Sequence, residues 1–226
     1  MQTILFHPDA AACEVLERMT QRLNDVTVLC ATCEELFESG LMAEGAVVSP
    51  GNGFGIMDGG FDGALRALCG DLLEARIKRQ IVERYGPELP VGAAVAARSE
   101  HGQLVIYAPT MQIPMRIVGT DNVYRAARAA ANKAVYIGVD VLYMPLLGTG
   151  TGGMALEDAA VQILAGVHDG VQPIAPEDLC WAHADRLHMQ WHRFCGVPDD
   201  GFRMAEIAAH RKEEDDATAV DDSQGG

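Results

Sequence analysis

Apolar positions along this chain fall into two kinds of run. Compact runs rich in β-branched or small apolar residues occur at residues 3–7, 26–30 (Val26-Thr27-Val28-Leu29-Cys30), 46–48, 93–97, 103–108 and 139–147, and these predict strands. Between them, apolar residues recur with helical spacing. The spacing predicts a helix over 10–23 with Asp9 as its cap, a short helix near Glu34–Ser39, and helices over 63–84, 121–137 and 156–167. Across 63–84, Leu65, Leu68, Leu72, Ala75, Ile77 and Ile81 form the apolar stripe, Arg76, Lys78, Arg79 and Glu83 take the water side, and Gly86-Pro87 closes the helix. The 121–137 helix is rich in alanine, which permits close packing on a sheet. Residues 176–194 and 202–211 read as further helices. Strands alternating with helices indicate an α/β domain with a mixed, largely parallel sheet. At 226 residues the chain suits one domain over 1–212, with extra C-terminal helices from about 175 and a tail over 213–226.

Two glycine-rich loops stand where a predicted strand hands over to a predicted helix. The first is Ser49-Pro50-Gly51-Asn52-Gly53-Phe54-Gly55-Ile56-Met57-Asp58-Gly59-Gly60-Phe61-Asp62-Gly63, after the buried run Ala46-Val47-Val48. The second is Gly148-Thr149-Gly150-Thr151-Gly152-Gly153-Met154. Glycine lets backbone N–H groups approach a ligand, and a following helix adds a dipole that favours anions. Ligands of such sheets sit beyond the carboxyl ends of the strands, where both loops fall. Two loops of this kind suit a diphosphate flanked by sugars, held from both sides. Gly148, Gly150 and Gly153 also match the dinucleotide-binding G-x-G-x-x-G, but the helix after them runs into Asp169-Gly170-Val171-Gln172-Pro173, with no convincing second strand and only Asp169 near for the acid that motif needs. A Gly-Lys-Ser/Thr phosphate loop is lacking, and a merely tight turn is the structural alternative for the second loop.

The pair of loops resembles the macrodomain family of ADP-ribose-binding proteins. Val48-Ser49-Pro50-Gly51-Asn52 followed by Gly59-Gly60-Phe61-Asp62-Gly63-Ala64 is similar to that family's Val-Asn-Ala-Ala-Asn strand end, glycine run and Asp-Gly. Pro145 and then Gly148–Gly153 look like its second loop, and the likeness covers about residues 25–170. The resemblance implies a three-layer α/β/α fold and a cleft for ADP-ribose or an ADP-ribosylated substrate. It further implies hydrolysis of an ADP-ribosyl linkage, ester-type, as against a non-catalytic binding module for ADP-ribose or a related NAD metabolite. By the same resemblance Asn52 faces the distal ribose and Asp62 places or activates water. Ser49, Gly51, Gly59, Gly60 and Phe61 join the ligand-binding set, as do Gly148, Thr149, Gly150, Thr151, Gly152, Gly153 and Met154. No cofactor and no metal is implied. As a residue type, Asp62 also suits a cap for the 63–84 helix, and Asp58 is a second carboxylate in the loop. The chain departs from the family at Ser49, where an Asn is usual. It departs again at Gly152 and Met154, where many members carry an aromatic, and at Cys30-Ala31-Thr32-Cys33-Glu34, where an adenine-reading acid is expected. Phe54 or a C-terminal aromatic would then be left to stack on the base.

Net charge is −15, which argues against binding a nucleic-acid backbone. Six acids and no Lys or Arg lie in 213–226, leaving −9 on residues 1–212, and that tail reads as disordered. An acidic protein still holds a phosphorylated ligand when uncharged amides supply the attraction. With no run approaching about 20 apolar residues and no basic-then-apolar N-terminus, neither membrane nor secretion is expected, and a cytoplasmic location is the default. Cys13, Cys30, Cys33, Cys69, Cys180 and Cys195 are too sparse for a disulfide scaffold. Cys30 and Cys33 form a C-x-x-C, yet Cys30 is in phase with Val26 and Val28, as a buried apolar residue would be. Cys180, His183, His188, His192 and Cys195 share a helical segment and suit either a zinc site or a polar stripe beside Trp181 and Trp191.

Overall fold

The computed structural model describes residues 1–196. The expected helix over 202–211 and the acidic tail lie outside the described residues. Six strands form one sheet: β1 (Gln2–His7), β2 (Val26–Cys30), β3 (Ala46–Ser49), β4 (Val95–Arg98), β5 (Leu104–Tyr107) and β6 (Val141–Pro145). Their order across the sheet is β2-β1-β6-β3-β5-β4, all neighbours parallel except the antiparallel β4–β5 hairpin at one edge. Seven helices among the described residues accompany them: α1 (Ala10–Thr20), α2 (Cys33–Glu38), α3 (Gly60–Cys69), α4 (Leu72–Tyr85), α5 (Asn122–Ile137), α6 (Leu156–Val171) and α7 (Trp181–Cys195).

Two apolar cores, one on each face of the sheet, make three layers. Leu16 of α1, the alanines of α5 and Ile163 of α6 pack with Val48, Ile106 and Met144 on one face. Leu36, Leu65, Leu73, Ile77 and Ile81 from α2, α3 and α4 pack with Val47, Val105 and Tyr143 on the other. Alternate residues of β3 and β5 thus serve opposite cores, so these strands are apolar up to Ser49 and Tyr107 at their carboxyl ends. The alanines of α5 meet α6 as well as the sheet. A Cβ added at Gly166 would lie 2.5 Å from the Tyr124 carbonyl and 2.9 Å from the Ala127 Cβ, and one at Gly170 would lie 2.5 Å from the Arg128 carbonyl. Small residues on both helices therefore set their separation. α6 runs through Gly170 to Val171, beyond the end near Val167 that the sequence spacing predicts.

The single helix expected over 63–84 is two helices. Gly70 takes φ +89° after Cys69, and the Glu100 carboxylate reaches in to accept from the Leu72 N–H at 3.0 Å, capping the new helix. The restart shifts the apolar phase, so that Leu73 is buried and Leu72 half exposed at 51%. Both ends read from sequence hold elsewhere: the Asp9 carboxylate accepts from Ala12 N at 2.8 Å, and Gly86 closes α4. No helix among the described residues is long and apolar enough to cross a membrane.

Candidate functional site

β3 and β6 are adjacent parallel strands, so the loops that leave their carboxyl ends must emerge side by side. They line one cleft of about 270 Å³. Gly51, Asn52, Ile56, Asp58 and Gly59 to Asp62 form one wall, Leu146, Gly148, Gly150, Thr151 and Gly152 the opposite one, and Thr110, Met111 and Pro114 an end. Thr149 and Gly153 belong to the second loop without lining the cleft, and Met154 is buried in the core beneath it. Ser49 is wholly buried under the floor.

Hydrogen bonds hold the first loop in shape. The Tyr107 hydroxyl, at the end of β5 beside Ser49, accepts from the Asn52 N–H and donates to the Asn52 carbonyl, both at 2.8 Å. Thr110 donates its hydroxyl to the Pro50 carbonyl at 2.9 Å, and Gly53 N donates to the Gln112 carbonyl at 2.9 Å. The Asn52 side chain turns into its own loop: its Nδ2 donates to the Ile56 carbonyl at 2.8 Å, and its Oδ1 accepts from the Phe54 and Ile56 N–H groups.

Steric surroundings sort the glycines. A Cβ at Gly51 would sit 2.0 Å from the Tyr107 hydroxyl and 2.5 Å from Asp62 Oδ2. One at Gly148 would strike Val123 at 2.5 Å, and one at Gly152 the Gly148 carbonyl at 2.5 Å. These glycines serve the loops' own packing. At Gly59, Gly60 and Gly150 a Cβ would meet nothing within 4 Å, and all three face the cleft. Packing within the chain therefore gives no reason for glycine at Gly59 or Gly150, and both leave open space on the cleft. α3 begins at Gly60 with its first backbone bond from Gly63 N to the Gly59 carbonyl, so the N–H groups of Gly60, Phe61 and Asp62 have no helical acceptor. In the second loop Gly153 N and Met154 N donate back to Gly150 and Gly148, while the N–H groups of Gly150 and Thr151 find no acceptor among the described residues. Both walls thus offer uncharged donors.

Asp62 is the third residue of α3; Gly59, not Asp62, occupies the capping position. Its carboxylate is 8% exposed and accepts from the Ser49 hydroxyl at 2.6 Å. Burial raises its pKa to about 6; the Ser49 bond opposes that rise and the nearby Asp58 charge adds to it. A carboxylate poised there takes and returns a proton near neutral pH. Burial, with the Asp62 charge, pushes the Tyr107 phenol far above its usual range, so it stays protonated as the clasp requires.

The other chemical clusters of the sequence lie elsewhere. His188 and His192 of α7 bring their Nε2 atoms to 2.8 Å, but among the described residues no three His, Cys, Asp or Glu gather as a metal site. α7 packs on α5 and α6 through the Arg186–Asp169 ion pair at 3.0 Å and the Tyr124–Phe194 ring contact, away from the cleft. Phe54 is 37% exposed and does not line the cleft. Cys30 is exposed, contrary to the buried position its phase suggested, because β2 is an edge strand with modest cover on either face. Cys33 is buried near Cys69, and its thiol is pushed up to about 12 by burial, so the C-x-x-C is not an exposed thiol pair. Beyond Ile56 and Leu146 of the two loops, the site residues that sequence reasoning missed are Tyr107, Thr110, Met111 and Pro114, from β5 and the segment after it. The signal available for them was the polar Thr110 and the two prolines in the segment after β5.

A sequence profile of the Macro domain family matches residues 48–163, which takes in both loops and half of the chain. The chain belongs to the Macro domain family. An uncharacterized protein of Aeropyrum pernix is 35% identical over 117 residues, 51% of this chain and 59% of that protein. One of Aquifex aeolicus is 36% identical over 118 residues, 50% of this chain and 67% of that protein. Among solved structures, the macrodomain of Mycobacterium tuberculosis DarG aligns with 16% identity and TM-score 0.46, over 56% of this chain and 82% of that one. An Oceanobacillus iheyensis macrodomain with ADP aligns with 17% identity and TM-score 0.45, over 65% of this chain and 85% of that one.

Proposed function

We propose that the cleft binds ADP-ribose, or a compound carrying an ADP-ribosyl group, and that the protein hydrolyses an ADP-ribosyl ester. The observation that carries the reading is the pair of loops on one cleft, with open-faced glycines and unpaired N–H groups on both walls and one buried carboxyl between them. The diphosphate lies between the α3 N-terminus and Gly150-Thr151, Asn52 stands at the distal ribose, and Asp62 directs water at the ester. Neutral donors suit a protein of net charge −15, because they attract a diphosphate without a basic surface.

One observation favours a non-catalytic binding module instead. The Asn52 amide is occupied by its own loop, so orienting a ribose hydroxyl requires it to exchange those bonds. Turnover separates the two. Incubation with an ADP-ribosylated ester substrate releases ADP-ribose if the enzymatic reading holds, and Asp62→Ala slows release at least about tenfold, roughly 1.4 kcal/mol of barrier. A wild-type protein that binds this substrate and leaves it intact is the binding module.

A further inference from the structure

Ser49 was expected to touch the ligand, yet it is fully buried, with its hydroxyl hydrogen-bonded at 2.6 Å to Asp62 Oδ1. It is the last residue of β3, fixed between β5 and the core, so its side chain has little freedom to leave. The other oxygen, Oδ2, lies on the Gly51 side, within 2.5 Å of where a Cβ on Gly51 would sit. The absence of that Cβ keeps Oδ2 uncovered. Asp62 lines the cleft, so one oxygen is anchored from below while the other is left for chemistry.

The geometry points to Ser49 as a positioning residue: its hydroxyl locks Asp62 Oδ1, aims Oδ2 at the cleft, and supports the ionised carboxylate that a water-directing base requires. This rests on the functional reading above and adds to it. A hydroxyl is suited to the task because it donates to a carboxylate and, after rotating, accepts from a carboxylic acid. The contact therefore survives both halves of a proton cycle. The groups that face Asp62 electrostatically are Asp58 from its own loop and Tyr107 from β5, the one anionic and the other neutral, and neither favours a second negative charge. Arg66, one turn further along α3, directs its guanidinium to Glu74 and Asp71. Ser49 is thus the side chain that stabilises the charged form, opposing the burial that lifts Asp62 to about 6.

The test is a titration of the Asp62 carboxyl by carbon-detected NMR on the full chain, wild type against Ser49→Ala and Ser49→Thr. Because the hydroxyl bonds the carboxylate more strongly than the neutral acid, its loss in Ser49→Ala moves the midpoint upward by about 0.5–1 pH unit. Ser49→Thr, which keeps the hydroxyl, returns it toward the wild-type value. In the enzyme, the acidic limb of the kcat/KM profile moves with the same midpoint. A midpoint in Ser49→Ala within about 0.3 pH unit of wild type overturns the assignment. So does a Ser49→Thr midpoint as high as that of Ser49→Ala. ADP-ribose titrated into the same samples keeps the two claims apart: failure to bind wild type refutes the functional reading, whereas binding with an unmoved midpoint refutes only the role of Ser49.

Discussion

Replacing Asp62 with asparagine removes a charge that the fold holds at a cost. The side chain keeps its shape, and its Oδ1 still accepts from Ser49. In the folded protein burial raises the Asp62 pKa from 3.8 to about 6. Below pH 3.8 the carboxyl is protonated in both folded and unfolded chains and the stability it contributes is fully present. As pH climbs from there through about 6, the unfolded chain ionises first and the folded state is progressively penalised. At about 1.4 kcal/mol per pH unit, that difference amounts to roughly 3 kcal/mol at pH 8. A neutral amide at this position carries no such penalty. Asp62→Asn is therefore more stable than wild type at pH 8 by roughly 3 kcal/mol, which for a domain of this size raises Tm by about 6–12 °C. The advantage shrinks as pH falls to 5 and is nearly gone at pH 4. Urea denaturation of both proteins across that range measures it. An advantage that is absent at pH 8, or that does not shrink on acidification, refutes the assignment of Asp62 as a carboxyl ionised against its surroundings.

Three glycine substitutions separate packing from ligand access. Gly51→Ala drives a methyl into Tyr107 and Asp62 and disrupts the Tyr107–Asn52 clasp, costing about 3 kcal/mol in chemical denaturation; a cost below about 0.5 kcal/mol contradicts the packing described. Gly150→Ala faces open cleft, so stability stays within about 0.5 kcal/mol while ADP-ribose affinity measured by calorimetry drops about tenfold or more, and unchanged affinity removes Gly150 from the ligand path. Gly166→Ala forces α5 and α6 apart at the Tyr124 carbonyl; after the helix-propensity gain of alanine, a net loss of about 1–2 kcal/mol is expected, and a stabilised variant contradicts the close approach.

The parts of this fold that local patterning controls were legible in the sequence. Ala46-Val47-Val48 had to be a buried strand, and glycine-rich loops after it and after Pro145 had to lie at carboxyl ends of strands. The break at Gly70 was not legible, because Leu72 and Leu73 are both apolar and either phase gives an amphipathic helix; a distant Glu100 decides between them. The Tyr107–Asn52 clasp depends on strand order, since β5 comes to border β3 only when the sheet assembles, and the Ser49–Asp62 bond depends on how the 13-residue path from Ser49 in β3 to Asp62 in α3 folds back. No local spacing encodes such a neighbour. The resemblance to the macrodomain family supplied the candidate residues, whereas the geometry separates those on the cleft, such as Gly59 and Gly150, from those beneath it, Ser49 and Met154.

Amide-resolved NMR during titration with ADP-ribose addresses the reading at its root, the grip of backbone donors from two walls. The account predicts that the N–H resonances of Gly60 and Phe61 and those of Gly150 and Thr151 move together and saturate with a single Kd. Shifts confined to one loop, or centred on the α5–α7 face around Arg128 and Arg186, contradict it.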